Sequence, residues 1–258
     1  MQSEPATLSA AFADISLLQL LLVAGVTLFA SVIGGVAGYG TGALMPLVLV
    51  PIVGAEPVVP IVAISALFTN TGRALAFRAF IDRRRTLIVL AGALLPCMLS
   101  AWGYTLLTGK GAMLAIGAML ILTVPLRYLM RRRALALGDR GLALGGAGYG
   151  AAAGGTVGAG VILLSILMAA GLEGAAVVAT DAAISVAIAL ARFAVFGIAG
   201  VVDARVLAFA LLIGLIALPG AFMARMLVAR LPLRVHTAIL DAVVATGGAV
   251  MVYGALMR

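Results

Sequence analysis

The motif GGxxGxG occurs twice in this chain, as GGVAGYG at Gly34–Gly40 and as GGTVGAG at Gly154–Gly160, an offset of 120 residues. The same offset relates the tripeptide Ala63-Ile64-Ser65 to Ala183-Ile184-Ser185. Further along the chain the offset widens slightly, and two more pairs continue the series: Asp82 with Asp203, and Pro96 with Pro219. A chance match would not persist over this length, so the sequence predicts two homologous halves.

The composition sets the class of protein. Hydrophobic residues make up 64% of the chain, charged residues only 10%, and the mean hydropathy is +1.26. A soluble globule of 26.0 kDa cannot bury that much apolar surface, whereas a bilayer accepts it on every face of a helix. The sequence therefore predicts an all-α integral membrane protein. The lone cysteine, Cys97, excludes an internal disulfide.

The net charge of +8 could suggest a nucleic-acid partner, but the cations are not spread along a soluble face. They form short clusters between apolar stretches, including Arg83–Arg85 and Arg131–Arg133. Clusters of this kind mark the cytoplasmic loops of inner-membrane proteins. The charge thus indicates topology, and we expect no nucleic-acid partner.

The apolar stretches define the organisation of the chain. We expect an N-terminal tail at 1–14, a first transmembrane repeat at 15–130, a basic cytoplasmic linker at 131–140 and a second repeat at 141–258. The stretches that flank the glycine motifs are too short to span a core of about 30 Å. Each repeat should therefore open with a helical element broken at GGxxGxG, followed by three full spans. Counting each broken element as one segment gives about four segments per half.

The arginine bias also predicts the orientation of the second half. Arg225, Arg230 and Arg234 flank the last turn and place it in the cytoplasm, whereas the turn at Asp203 carries only Arg205. The second half would then be inverted relative to the first. Inversion requires an odd number of crossings per repeat, so each broken element either re-enters on its own side or crosses twice, and both alternatives stay open.

The repeated glycines are candidates for the substrate site. Irregular backbone within a membrane persists only where protein, water or a solute satisfies its polar groups, and paired broken helices form substrate sites in transporters with inverted repeats. The helix that restarts after the break offers amide hydrogens to an anion. The alternative is that the glycines only allow close helix packing. The candidates are Gly34, Gly35, Gly38 and Gly40 in the first half, and Gly154, Gly155, Gly158 and Gly160 in the second.

Together these features resemble the sulfite exporter TauE/SafE family, also called the toluenesulfonate uptake permease family. The resemblance rests on the order of GGVAGYGTGALMPLVL, with Pro46, and the small-hydroxyl stretch AISALFTN, and it covers the chain from about residue 17 onward. It implies a multi-pass protein of the bacterial inner membrane that exports or takes up small sulfur oxyanions and organosulfonates, with export favoured. In the second half, the proline position is held by Ile166.

Two arginines lie inside predicted spans at nearly equivalent positions, Arg73 and Arg192. A guanidinium offers planar, charge-assisted donors that match the oxygen pair of a sulfonate or sulfite, so both are candidate anion ligands. The alternative for Arg73 is to extend its side chain to the cytoplasmic interface. The alternative for Arg192 is to pair with a buried carboxylate or carbonyl.

Asp181 is the carboxylate that lies well inside an apolar run, which makes it a candidate proton carrier. It precedes Arg192 by eleven residues, so the two share a helix face but stand about 16 Å apart, and each needs another partner. Structural pairing with an arginine of another helix is the alternative to proton coupling.

Four small polar side chains could donate hydrogen bonds to an oxyanion: Ser65, Ser185, Thr69 and Asn70. Serine and threonine in membrane helices usually bond a carbonyl of the preceding turn, which is the alternative for each. Near the expected outer end of their span, Trp102 and Tyr104 are typical of interface anchors.

Enzymatic motifs such as HExxH, Walker A or Gly-x-Ser-x-Gly do not occur, so we expect no enzyme, no cofactor and no metal site. The sequence predicts a secondary transporter that moves a small anion through a site between the repeats, with membrane lipid around it. An anion channel or an integral subunit of a larger complex is the alternative. Proton coupling and a homodimer stay open.

Overall fold

The computed structural model of the chain describes residues 12–37, 40–132, 137–227 and 233–257. Within them the backbone alone is described at 33–37, 40, 127, 130–132, 220–227 and 233–240. These residues form ten α-helices and one short 3₁₀ turn, and the part of the chain described here contains no strand. The helices are α1 Leu17–Ala37, α2 Gly40–Val53, α3 Val58–Ala76, α4 Arg83–Thr105, α5 Gly109–Arg132, α6 Asp139–Gly155, α7 Gly160–Ala169, α8 Gly174–Ile198, α9 Ala204–Leu227 and α10 Leu233–Leu256.

The apolar composition is carried by these helices. Four stretches in the described residues are long and apolar enough to cross a membrane: Val58–Ala76, Arg83–Thr105, Gly109–Leu126 and Gly174–Ile198. Many large apolar side chains on them face outward, such as Leu95 and Leu99 of α4, which are 66% and 65% exposed. Long apolar helices with so many outward-facing leucines are typical of a lipid environment. The prediction of an all-helical, multi-pass membrane protein is confirmed.

Each half contains five helices in the same order, and the first two of each half form the broken element. In the second half the helix ends at Gly155 and restarts at Gly160. In the first half α1 ends at Ala37 and α2 begins at Gly40, the motif position equivalent to Gly160. Gly38 lies outside the described residues. The break of the second half therefore falls in the repeated motif, and in the first half α2 begins at the equivalent motif position.

Two paired residues of the sequence take equivalent structural positions. The Asp82 carboxylate accepts a hydrogen bond from the backbone N–H of Arg85 at 2.9 Å, at the start of α4. The Asp203 carboxylate accepts one from the backbone N–H of Val206 at 2.7 Å, at the start of α9. Both are helix N-caps, which satisfy an amide that the helix leaves unpaired. The helices α4 and α9 also each contain one of the paired prolines, Pro96 and Pro219.

The packing of the helices also repeats between the two halves. The contact between α4 and α6 has its counterpart between α9 and α1, and the contact between α3 and α9 has its counterpart between α8 and α4. The equivalent helices α3 and α8 pack on each other, and so do α5 and α10. The most extensive contacts between helices thus reappear when the halves are exchanged, as a two-fold relation between them would produce.

Helix α4 fixes the two ends of the bundle, which we call the Arg85 end and the Tyr104 end. At the Arg85 end, the Arg85 guanidinium donates to the carbonyl of Ala170, just after α7, at 2.7 Å. At the Tyr104 end, the Tyr104 hydroxyl donates to the carbonyl of Ala55, just after α2, at 2.9 Å. The turns after α2 and α7 hold equivalent places in the two halves but lie at opposite ends of α4, which supports the predicted inversion.

In each broken element the first helix begins, and the second helix ends, at the same end of the bundle. Asp14, before α1, pairs with Arg205 at 3.1 Å, and Arg205 lines a pocket together with Tyr104 at the Tyr104 end. Asp139, at the start of α6, pairs with Arg84 at 2.6 Å at the Arg85 end. Each broken element therefore makes a return path, as an inverted repeat requires. The last turn, with Arg230, lies outside the described residues.

One local expectation was wrong. Tyr104 is not an interface anchor, because it is only 4% exposed and its hydroxyl is bonded to the carbonyls of Ala55 and Glu56. Its ring also packs edge-on against the ring of Phe196, with 6.3 Å between the ring centroids. Tyr104 ties α4 to the turn after α2. Trp102, 48% exposed, keeps the outward position that an anchor needs.

Candidate functional site

A cavity of about 150 Å³ lies between the two halves. It is lined by residues of α1, α2 and α3 from the first half and of α6, α7, α8 and α9 from the second. One water needs about 10–15 Å³ of such space, so there is room for on the order of ten waters or for one small hydrated oxyanion. The candidate residues that line it are Thr69, Asn70, Arg73, Gly158, Gly160, Asp181, Ser185 and Arg192.

Helices α3 and α8 present equivalent faces to this cavity. The lining residues of α3 are Val62, Ala66, Thr69, Asn70 and Arg73, and those of α8 are Asp181, Ser185, Ile188, Ala189 and Arg192. The spacing between successive members is four, three, one and three residues in both. Arg73 and Arg192 are therefore equivalent positions of two helices that the fold relates to each other.

This register differs by one residue from the one that the serines suggest. In the cavity the equivalent of Ser185 is Ala66, not Ser65. Ser65 is 4% exposed and its hydroxyl donates to the carbonyl of Val62 at 3.0 Å, the alternative that sequence reasoning had left open. It does not appear in the described lining. The loop before the helix can add or remove a residue, so a sequence match alone does not fix which face of the helix reaches the cavity.

Arg73 has a carboxylate partner in the other half. Its guanidinium donates to the Asp181 carboxylate at 3.0 Å and to the side-chain oxygen of Asn70 at 3.2 Å. The side chains of Arg73 and Asp181 are 16% and 3% exposed, so the ion pair is largely shielded from water. It lies toward the Arg85 end, where the backbone N–H of Asp82 donates to the hydroxyl of Thr180 at 3.0 Å. Arg73 does not extend to the interface.

Arg192 stands at the opposite part of the cavity and its partners are neutral. Its guanidinium donates to the carbonyl of Thr156 at 3.2 Å and, at the long distance of 3.4 Å, to that of Val59 near the start of α3. It lies over the ring of Phe196, 5.8 Å from the centroid. Although Arg192 is only 8% exposed, its Nε has no hydrogen-bond partner. Among the described residues no carboxylate forms an ion pair with it.

The broken helices bring backbone amides to the same cavity. Gly158 has a φ of +86°, a conformation that side chains rarely adopt, and this turn starts α7 at the cavity with Gly160 as its first residue. From the first half, Thr41 and Gly42 in the first turn of α2 line the cavity. The first amides of a helix have no intrahelical partner and carry partial positive charge. Two helix starts, one from each half, thus meet at the site.

The glycines before the break have a different place. A Cβ on Gly155 would stand 2.8 Å from the hydroxyl oxygen of Ser100, and one on Gly154 would collide with the carbonyl of Cys97. Gly154 and Gly155 therefore lie in the close contact of α6 with α4, and neither appears in the described lining. Gly34, Gly35 and Gly40 are described by backbone alone, within α1 and at the start of α2.

Several polar lining residues were missed by sequence reasoning. Tyr149 of α6 is 4% exposed and lines the cavity together with Ser185. Thr156 lies at the break itself and Ser31 on α1, and their hydroxyls donate to carbonyls of their own helices. Thr156 lies inside the second glycine motif and Tyr149 lies five residues before it, so the motif could have drawn attention to them. Nothing in the sequence distinguishes Ser31.

The geometry defines a class of protein: a multi-pass helical membrane protein with a shielded polar cavity between two repeated halves. The comparisons with known proteins agree with this class. Residues 23–251 match the family model described as Sulfite exporter TauE/SafE, which is nearly the whole chain. The chain therefore belongs to this membrane transporter family. Neither a curated protein nor a solved structure matches it.

Proposed function

We propose that this protein is a secondary transporter that moves small sulfur oxyanions or organosulfonates across the bacterial inner membrane, with export favoured, and that the cavity between the halves is the substrate site. Arg192 carries the proposal. Burying a guanidinium costs several kcal/mol unless a counter-ion compensates it. The described residues offer Arg192 only two carbonyls, leave its Nε unpaired and place it on a cavity of anion size. A small anion supplies the missing charge.

The helix starts complement the arginine. The amides that begin α7 at Gly160 and α2 at Gly40 are unpaired within their helices, and an oxyanion can accept hydrogen bonds from them. Helix α7 has 10 residues and α2 has 14, so they start about 15 Å and 21 Å from their own ends of the bundle. Both distances fall inside a core of about 30 Å. An anion bound there would be far from either surface.

The Arg73–Asp181 pair supports alternating access. It joins α3 of the first half to α8 of the second at 3.0 Å, so the halves cannot separate along this seam without breaking it. A movement between the halves that breaks this pair would leave Asp181 without its partner. A carboxylate released without a partner in this shielded place favours its protonated form, and so we propose Asp181 as the group that couples a proton to transport. Membrane lipid surrounds the site without taking part in it.

A flux assay with the purified chain in proteoliposomes tests the proposal. Vesicles would be loaded with sulfite, sulfoacetate, taurine or sulfate, and efflux would be followed with and without an imposed proton gradient. The proposal expects saturable efflux of at least one sulfur anion and accumulation against its gradient when protons drive it. Flux that only dissipates gradients would identify a channel instead. Absence of anion flux in vesicles that hold correctly inserted protein would overturn the proposal.

Arg205 provides a matched control for substitutions of Arg192. Arg205 also has a buried Nε without a partner, but it lies in a separate pocket at the Tyr104 end and pairs with Asp14. Replacing Arg192 by Gln should remove saturable flux, whereas replacing Arg205 by Gln should leave it near the unmodified level. Equal effects of the two substitutions would show that transport does not depend on the cavity.

A further inference from the structure

The two equivalent faces of the cavity differ in charge at one position. In the register that aligns Arg73 with Arg192, the residue equivalent to Asp181 is Val62. Both line the cavity, four residues before the second member of their face. The Asp181 carboxylate forms an ion pair with the guanidinium of Arg73, which lies in the other half, with 3.0 Å between nitrogen and oxygen. When the two halves are exchanged, the pair Arg73–Asp181 corresponds to Arg192 and position 62. Position 62 is a valine, which offers Arg192 no charge.

We infer that this asymmetry sets the charge of the substrate: the site accepts one negative charge, and Val62 with Asp181 determines that specificity. The inference rests on the proposed function and adds to it the choice between monoanions and dianions. Of the two guanidiniums on the described lining, Asp181 neutralises one and position 62 leaves the other uncompensated. A sulfonate or a singly protonated sulfite balances Arg192, and a doubly charged oxyanion exceeds it.

Formal charges dominate over the partial charges of the helix starts. A helix N-terminus stabilises an anion by about 0.3–1 kcal/mol, and by up to about 2 kcal/mol in favourable buried geometry. Carrying a second charge from water into a shielded site costs several kcal/mol. The starts of α2 and α7 therefore strengthen the binding of one charge without compensating a second. The volume of the cavity does not discriminate, because methanesulfonate and sulfate are similar in shape and differ in charge.

The test uses these two ions in counterflow with proteoliposomes of the full chain at neutral pH. The unmodified protein should exchange methanesulfonate and prefer it to sulfate by on the order of a hundredfold. Val62→Asp gives Arg192 the carboxylate that Arg73 already has, and should remove methanesulfonate exchange. Val62→Asn has the shape of the aspartate without its charge, so it is the matched comparison and should exchange methanesulfonate faster than Val62→Asp does. Asp181→Asn frees Arg73 and should admit sulfate, whereas Asp181→Glu should not.

A charge transplant guards against misfolding of a single variant. In Val62→Asp with Asp181→Val the carboxylate moves from one half to the other, so that Arg192 is paired and Arg73 is free. Because one positive charge is again uncompensated, this double variant should regain methanesulfonate exchange that Val62→Asp alone has lost. Regain also shows that the aspartate at 62 is tolerated in a folded chain.

The outcomes separate the inference from the proposed function. Equal exchange of sulfate and methanesulfonate by the unmodified protein would overturn the charge rule while leaving anion transport in place. So would methanesulfonate exchange that survives Val62→Asp, or a double variant that folds but does not regain it. If inserted protein exchanges no sulfur anion at all, the proposed function fails together with the inference.

Discussion

Gly42 of the first half lies against the backbone of Gly158 in the second: a Cβ at position 42 would stand 3.3 Å from the amide nitrogen of Gly158. The two broken elements therefore touch through glycine backbone. Side chains at this contact would separate the helix starts that we propose as part of the anion site. The glycines of the motif act at several places, since Gly154 packs against α4 and Gly158 forms the turn.

Replacing Gly158 by Ala should impair transport. The Cβ would meet only ordinary contacts, at 3.5 Å from the Thr123 hydroxyl, but the φ of +86° costs an L-residue about 1–2 kcal/mol. The turn should relax and move the start of α7. Gly148 of α6, whose Cβ would meet nothing within 4 Å, is the matched control. Flux and thermal unfolding would be measured for both, and equal flux in the two variants would contradict the proposed role of the turn.

Arg192→Lys should weaken substrate binding by about 1–3 kcal/mol, because the charge stays but the planar donors are lost. Arg192→Gln should weaken it further. The measurement is the affinity for methanesulfonate or sulfite by titration of the purified protein, with Arg205→Lys as the control outside the cavity. If both Arg192 variants bind as the unmodified protein does, this arginine is structural and the amides of α7 remain as the ligands.

The Arg73–Asp181 pair should show strong coupling in stability. Asp181→Asn leaves a shielded guanidinium without its counter-ion and should destabilise the protein by about 3 kcal/mol. Asp181→Asn combined with Arg73→Gln should recover most of that loss, because neither charge is then left alone. Thermal unfolding in detergent gives the double-mutant cycle. Additive losses would show that the 3.0 Å contact contributes little.

The N-cap residues of α4 and α9, Asp82 and Asp203, should contribute about equally to stability. Asp82→Ala and Asp203→Ala should each cost about 1 kcal/mol. The backbone N–H of Arg85 and its guanidinium hold the pKa of the Asp82 carboxyl below its ordinary value, despite the opposing effect of burial. A lowered pKa stabilises the fold above the ordinary value near 3.8, and this part is lost as the pH falls through the folded pKa. Stability of Asp82→Asn should therefore depend less on pH below about pH 4 than that of the unmodified protein.

The inverted arrangement predicts which turns share a side of the membrane. In a background in which the buried Cys97 is replaced by Ser, cysteines at Val202 and Leu106 should react with an impermeant reagent from the periplasm. Cysteines at Glu173 and Arg140 should react only from the cytoplasm. The reason is that the first two positions belong to the Tyr104 end and the last two to the Arg85 end. Labelling of Val202 and Arg140 from the same side would show parallel repeats.

Much of the lining of the candidate site could be predicted from the sequence because it depends on local chemistry. Glycines at a repeated break, an arginine that cannot reach water and a carboxylate in an apolar run are costly in a bilayer, so Gly158, Gly160, Arg192 and Asp181 stood out by residue type alone. All four line the cavity. The repeated order of motifs also predicted which helices correspond, and Asp82 and Asp203 cap equivalent helices as their pairing suggested.

Which side chains meet depends on how the helices pack. Asp181 could have served as a proton carrier without an arginine or as a structural partner, and only the packing of α3 on α8 brings Arg73 to it. The register of that packing places Ala66 rather than Ser65 opposite Ser185, and so identifies Val62 as the counterpart of Asp181. Composition and local backbone cost act residue by residue, so a duplicated helical membrane protein with breaks at its glycines could be predicted without the structure. Helix rotation and register depend on contacts between distant segments, and those contacts pair Arg73 with a carboxylate and leave Arg192 with carbonyl partners.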